Sequence, residues 1–379
     1  MASKVYFSDL RCEPGHSLLK ILEKLLIVAG IGNIDYTDKY TAIKIHFGEP
    51  GNMAYLRPGY ANVLVQELKK LGARVFLTDS NTLYSGGRSN GIDHLRSASS
   101  NGYNLLSVDA PVVIADGIKG FEYRDLPVEG GEICKTARIG AAIADADIII
   151  SFSHFKGHEM TGFGGVLKNL GMGSASVAGK MYLHSDSQPF VDQELCKSCG
   201  QCIKACNHGA MHFNDNHKAE IDYSKCVGCG QCVATCNFRA ANVPQNTTSI
   251  NLNKKIAEYA KAVLDGKPNF HICLIIDVSP ECDCWPSNDV AIVPNIGFAA
   301  SFDPVALDQA CADLVMKTPA TVRDSMITDF CPDYRKQEHD HCHCEDKFRV
   351  IHPNTNWQSS LEHAEQIGMG SREYELIKI

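Results

Sequence analysis

Apolar and polar positions along this chain follow two periods. "KVYFSDL" (4–10), "TAIKIHFG" (41–48) and "ARVFLTDS" (73–80) are short apolar runs rich in β-branched and aromatic residues, which predict buried strands. Gly15 to Ile27 carries Leu18, Leu19, Leu22, Leu25 and Leu26 at helical spacing. Pro58 to Leu71 predicts a second helix, with Pro58 in its first turn and Gly72 just past its end. "PVVIAD" (111–116) and "ADIIISFS" (146–153) are further strands. Past residue 245, Ile250–Leu264 and Pro304–Val315 read as helices, the second with Asp303 as its N-cap. "FHICLIIDV" (270–278) is a strong buried strand and "DVAIVP" (289–294) reads as another. Leu361–Ile367 is helical, and "REYELIKI" (372–379) closes the chain as a strand. Strands separated by helices of this length imply an α/β fold, a mostly parallel sheet with helices on both faces.

The α/β pattern runs on both sides of a cysteine-rich stretch. The simplest organisation is one α/β domain, 1–185 and 246–379, with a small α+β module inserted at 186–245. Two α/β domains joined by a metal module are the alternative.

The inserted stretch holds an internal repeat: "CKSCGQCIKACN" from Cys196 and "CVGCGQCVATCN" from Cys226. Each is C-x2-C-x2-C-x3-C, the spacing of the two-cluster bacterial ferredoxin run. In that grammar three thiolates of one run bind three corners of a [4Fe–4S] cube, and the fourth cysteine ligates the other cluster. One cluster would use Cys196, Cys199, Cys202 and Cys236, the other Cys226, Cys229, Cys232 and Cys206. Gly200 and Gly230 would let the backbone bend close to sulfur. Structural zinc usually takes two separated C-x2-C pairs, which this run fits poorly. Asn207 and Asn237 stand where the ferredoxin run has proline. Their amide donors would raise the cluster potentials.

"SHFKGHEMTGFGGVLKNLGMG" (153–173) follows "ADIIISF" and so sits at a strand's carboxyl end, the edge where open α/β sheets bind ligands. Gly162, Gly164 and Gly165 allow close backbone approach, and Lys156, Lys168 and Asn169 offer charge and hydrogen bonds to a small anion. A helix from Phe163 to Leu170 would turn its N-terminus toward that anion. His154 and His158 are candidates for moving protons near neutral pH. Asp308, one turn into the helix after Asp303, is a further candidate catalytic group. His46, Glu49, Asn52, Asp79 and Ser80 follow other strands and are candidate walls of the same cleft. The stretch is neither a Walker A motif nor a dinucleotide fingerprint.

That stretch, together with "CDC" at 282–284, "IGFAASFDPVALDQAC" (296–311) and "HPNTNWQSSLEHAEQIGMGSREYELI" (352–377), resembles the domain of unknown function 362 family, in the form that carries an inserted two-cluster ferredoxin. The resemblance covers nearly the whole chain. It implies an iron–sulfur protein of mostly anaerobic bacteria and archaea, without naming a substrate. It also implies a distant similarity to the lactate racemase fold, which would put ligand chemistry near His154 and Lys168.

Other cysteines remain. A C-x-C pair in extended chain points to opposite sides, so Cys282 and Cys284 need a bent backbone to act on one metal. "CPDYRKQEHDHCHCED" (331–346) is dense in soft ligands. Cys282 and Cys284 with Cys342 and Cys344 could build a third metal site, or Cys282 and Cys284 a redox dithiol, or the "HDHCHC" stretch an exposed loop. Cys12, Cys134, Cys273 and Cys311 read as core cysteines.

The bulk numbers exclude some classes. The net charge is −8, with no basic stripe for nucleic acid. No run of about 18 apolar residues suggests a membrane span. With no signal peptide in evidence, 17 clustered cysteines point to metal in a cytoplasmic protein rather than to disulfides. Two functions follow. The first is a redox enzyme passing single electrons through the clusters, from a partner protein to a bound substrate or cofactor. The second is a dedicated electron carrier or cluster scaffold that docks a partner enzyme.

Overall fold

Seven consecutive residues, Ile148–His154 (IIISFSH), are all buried. A strand is covered on every side chain only when both faces of its sheet are packed. In the computed structural model this strand sits inside an eight-stranded sheet. The structure describes residues 2–84, 86–185, 189–206, 208–226, 228, 231–236, 238, 240–242, 247–321 and 346–379.

In chain order the first part runs β1 (Ser3–Asp9), α1 (Leu18–Val28), β2 (Tyr40–Lys44), α2 (Pro58–Lys70), β3 (Arg74–Asp79), α3 (Gly91–Ser100), α4 (Leu105–Val108) and β4 (Val112–Ile114). A hairpin of β5 (Tyr123–Pro127) and β6 (Thr136–Gly140) leads through α5 (Ala141–Ala144) to β7 (Ile148–His154). A second hairpin, β8 (Lys156–His158) and β9 (Gly162–Gly164), precedes α6 (Val166–Ser174) and α7 (Val177–His184). The cysteine-rich stretch holds β10 (Phe190–Val191), α8 (Gln201–Ala205), β11 (Met211–Phe213), β12 (Ala219–Ile221), α9 (Gln231–Thr235) and β13 (Ala241–Asn242). Then come α10 (Thr247–Leu264), β14 (Asn269–Ile275), β15 (Gly297–Ser301), α11 (Pro304–Lys317), α12 (Lys347–Ile351), α13 (Gln358–Gln366) and β16 (Tyr374–Lys378).

The main sheet has the order β16-β1-β15-β14-β7-β2-β3-β4. β15 is antiparallel to both neighbours, and the remaining pairings are parallel. Alternating side chains feed two cores. Ile148, Ile150 and Phe152 join Leu22, Leu25, Leu64 and Leu68 of α1 and α2. Ile149 joins Leu167, Leu170, Ile256, Val305 and Leu361 on the other face. Strands from before and after the cysteine-rich stretch share the one sheet. Phe190 pairs with Asn242, so the chain leaves and re-enters that stretch side by side. Val233 of α9 packs against the larger core, and Asn354 donates to Asn242 at 3.2 Å.

Two expectations change, and one strand is added. "DVAIVP" is not a strand: Ile292 and Val293 are buried in a loop held by Ile292 N–H to Val278 O at 2.9 Å. The strand there is "GFAAS", whose glycine and alanines carry weak β propensity and whose pairing comes from sheet context. The helix expected from Phe163 begins at Val166 instead, because Gly162–Gly164 pairs with Lys156–His158.

Candidate functional site

The parallel strands converge with their carboxyl ends on one edge. Lys44 ends β2, Asp79 ends β3 and His154 ends β7, while the loop after β14 brings in Cys282, Asp283 and Cys284. Lys44 is buried and meets Asp79 Oδ1 at 2.8 Å and Asn169 Oδ1 at 2.8 Å. Burial pulls the Lys44 ammonium below its ordinary value against the pull of Asp79. Burial pushes the Asp79 carboxyl up, but Lys44 and His94 hold it well below the carboxylate range. Arg88 binds Glu49 Oε2 through Nε at 2.8 Å and lies 2.8 Å from His46 Nε2 through Nη1. Its Nη2 is buried without a hydrogen-bond partner. Burial and the Arg88 charge keep His46 well below its usual value, hence neutral. Lys156 Nζ binds Asp283 Oδ2 at 3.1 Å.

These groups line two adjoining cavities, which share Tyr84, Lys168, Met172, Lys180 and Cys284. The first collects five cationic side chains, Lys44, Arg88, Lys156, Lys168 and Lys180, with Asp79 on its wall. The second adds His158, Glu159 and His184. Burial lowers Lys180 to about 8 and His184 to about 3. Burial also pulls Lys168 down, but the sulfurs of Cys282 and Cys284 hold it above its ordinary value. Three of these cations are paired with carboxylates, Lys44 with Asp79, Arg88 with Glu49 and Lys156 with Asp283, which leaves Lys168 and Lys180 to meet a small anion.

The cysteine runs line two further cavities. One is walled by Cys196, Cys199, Cys202 and Cys236. The other is walled by Cys206, Cys226 and Cys232 together with His208 and Gly228. Each thus joins cysteines of one run to a cysteine of the other. Backbone N–H groups approach three sulfurs: Ala219 to Cys196 at 3.5 Å, Ala210 to Cys206 at 3.3 Å and Ala241 to Cys236 at 3.4 Å. Sulfur donors grouped as four and as three among the described residues suit a soft metal or an iron–sulfur cube.

Residues 41–313 match the family described as Domain of unknown function (DUF362). This chain belongs to the DUF362 family. No curated protein matches it. Among solved structures, the lactate racemase apoprotein from Thermoanaerobacterium thermosaccharolyticum aligns at 13% identity and a TM-score of 0.36, over 79% of this chain and 54% of that one. The DUF362 chain therefore spans about half the length of that protein.

Several candidate residues of this DUF362 chain gather at the cavities. Lys156, Lys168, Gly164, Gly165 and Asn169 line the first, and His158 and Lys168 the second. Other candidates stand elsewhere. His154 has both ring nitrogens engaged, Nδ1 with Asp283 at 2.9 Å and Nε2 with Ile276 O at 2.7 Å, so neither is free to serve a ligand. Asp308 does not line the cavities. It accepts from Val166 N–H at 2.6 Å and Leu167 N–H at 2.8 Å. The α6 N-terminus expected to face an anion is therefore closed by Asp308, whose carboxyl burial raises to about 7. Gly162, at φ +84°, packs on Trp357. Glu49 supports Arg88, and Asn52 accepts from Ala54 N–H at 2.9 Å. Asp303 caps α11 as expected. Cys134, Cys273 and Cys311 are buried, but Cys12 is exposed rather than core. Cys229, Gly230, Asn207, Asn237 and the whole 331–344 stretch, with Cys331, His339, His341, Cys342, His343 and Cys344, lie outside the described residues.

The sequence reading missed Lys44, Arg88, Lys180 and Asp283. A signal existed for one of them: a lysine inside the apolar strand "TAIKI" needs a buried partner. Among the described residues, no helix is long and apolar enough to cross a membrane.

Proposed function

We propose that this DUF362 chain is an iron–sulfur redox protein whose segment 186–245 is an inserted two-cluster ferredoxin-type module. It serves a small anionic substrate or cofactor held in the cationic cavity of the α/β domain, and takes its electrons from a partner protein. The observation that carries the reading is the sorting of the cysteines: Cys196, Cys199, Cys202 with Cys236 around one cavity, and Cys226 and Cys232 with Cys206 around the other. That crossover is the ligand grammar of paired [4Fe–4S] clusters. Cys229 completes the second set by the same spacing.

When bound, such clusters supply one-electron storage. The chain's own residues do the rest. The N–H groups of Ala210, Ala219 and Ala241 aimed at ligand sulfurs favour the reduced state. The buried cations hold and orient the anion, and the enclosing walls exclude water. Cysteines committed to iron–sulfur ligation fit a reducing compartment such as the cytoplasm.

The test is iron, acid-labile sulfide and zinc per chain on protein purified without oxygen, with an electron paramagnetic resonance spectrum after dithionite. About eight irons and eight sulfides, with coupled reduced clusters, are expected. Zinc without sulfide overturns the redox reading. Lys168→Ala separates enzyme from carrier: an enzyme loses turnover with its clusters intact, while a carrier keeps its electron-transfer rate.

A further inference from the structure

Cys282 and Cys284 stand at the wall of the cationic cavity, and the function proposed above uses neither. In extended chain their side chains would point apart. Here the Trp285 N–H donates to Cys282 O at 3.1 Å and closes a four-residue turn. Both sulfurs and a ring nitrogen of His158 then lie within 4.8 Å of one another. Lys168 Nζ is 3.3 Å from Cys282 Sγ. Cys282 is 1% exposed, while Cys284 is half-buried and lines both cavities.

Three soft donors at this spacing raise a metal site first. His158 argues against it. The N–H groups of Met160 and Thr161 donate to His158 Nδ1 at 3.0 and 3.2 Å. That lone pair is taken, so the ring proton sits on Nε2. A metal-bound imidazole does the reverse, giving a lone pair to the metal and its other N–H to an acceptor. The surroundings suit a thiolate instead. The Lys168 ammonium donates to Cys282 sulfur, and the His158 ring and the Cys284 thiol stand within 4.8 Å of it.

We propose that Cys282 and Cys284 form a redox dithiol that exchanges two electrons with a small anionic disulfide seated in the cationic cavity. The proposal rests on the anion-holding cavity of the reading above and not on its clusters. Cys284, facing the cavity, attacks one sulfur of the disulfide RS–SR while its proton passes to the Cys282 thiolate. The first RS⁻ leaves and takes that proton from Cys282 to become RSH. Cys282 then attacks the Cys284 sulfur, the second RS⁻ leaves, and the Cys282–Cys284 bond closes. Two electrons pass from the dithiol to the disulfide, with one RSH and one RS⁻ as products. Lys168 and Lys180, on the shared wall, neutralise the departing charge.

The test exposes the whole protein, purified without oxygen, to dithiobis-nitrobenzoate, an anionic disulfide, and maps its peptides by mass spectrometry. The expected wild-type product joins Cys282 to Cys284, two hydrogens lighter and carrying no probe. It forms roughly tenfold faster than with a neutral disulfide of similar size. In Cys282→Ser the probe thiol stays on Cys284 as a mixed disulfide, and in Cys284→Ser the buried Cys282 stays free. Wild-type Cys282 and Cys284 recovered unmodified, while the exposed Cys12 is labelled, would overturn the proposal without recourse to any variant. So would equal rates with the neutral disulfide, or one zinc per chain that Cys282→Ser abolishes. Iron and sulfide assayed on the same sample report on the clusters independently, so the two readings fail separately.

Discussion

At the scale of single residues, the cavity is governed by what burial does to charge. Lys180 donates to Ala175 O at 2.6 Å and reaches the first cavity with a side chain that burial holds at about 8. The direction follows: below that pH the ammonium carries its charge, and above it the neutral amine does not attract an anion. Binding of sulfate, which does not itself titrate near neutrality, should weaken as pH rises through about 8. Lys180→Met should weaken sulfate binding about tenfold at neutral pH, some 1.4 kcal/mol, and flatten that limb. Isothermal calorimetry across pH checks both outcomes. Asp308 teaches a complementary point. Asp308 is a candidate site residue by its place one turn into the helix after Asp303, but its carboxylate closes the N-terminus of α6. That positions the glycine-rich loop without touching a ligand.

Elements are held to one another by close approach as much as by side-chain burial. α6 packs on α10, and a Cβ added at Gly171 would lie 2.0 Å from the Ile256 carbonyl oxygen. Backbone cannot yield as a flexible side chain does. Gly171→Ala should therefore push α6 off α10 at a cost of about 1–3 kcal/mol. It should also loosen the cavity, because Lys168 and Asn169 ride on the same helix. Denaturant unfolding followed by circular dichroism reads the stability, and sulfate affinity reads the cavity. The hairpin of β8 and β9 acts in the same way. It takes Gly162–Gly164 away from helix and puts Lys156 and His158 on one strand of a pair, so the two face the site from a rigid support.

For the whole molecule, the crossed cysteine sets make a prediction that two independent zinc sites would not. Cys236 belongs to the second run in sequence but shares a cavity with the first. Cys236→Ser should lose about four of eight irons and abolish the magnetic coupling, while the cluster of Cys226, Cys229, Cys232 and Cys206 remains. Iron analysis and electron paramagnetic resonance read this out. The module's ends lie side by side, Phe190 paired with Asn242, and the large sheet takes strands from both flanks. A chain with residues 190–242 replaced by a short Gly–Ser link should keep the α/β fold and lose all iron. Circular dichroism with metal analysis checks it. A chain that fails to fold would mean that the contacts of Val233 and Asn242 with the larger domain are essential to it.

Much of this was legible in the order of residues. The strands "KVYFSDL", "TAIKIHFG", "ARVFLTDS" and "FHICLIIDV", the N-caps and the cysteine spacing all rest on contacts a few residues apart, which local pattern encodes. "GFAAS" was not legible, because its small residues become a strand only between β1 and β14. The cationic cavity was not legible either. Lys156 and Lys168 stood out in the glycine-rich stretch, but Lys44, Arg88 and Lys180 come from separate elements, and nothing local in the chain joins them to that pair. The C-x-C pair needed the Trp285 turn to bring its sulfurs to one side. The sequence by itself determined the α/β period, the repeat and the thiol chemistry on offer. Only the tertiary structure decided which charges are buried together, because desolvation and Coulomb energy depend on distance in space and not along the chain.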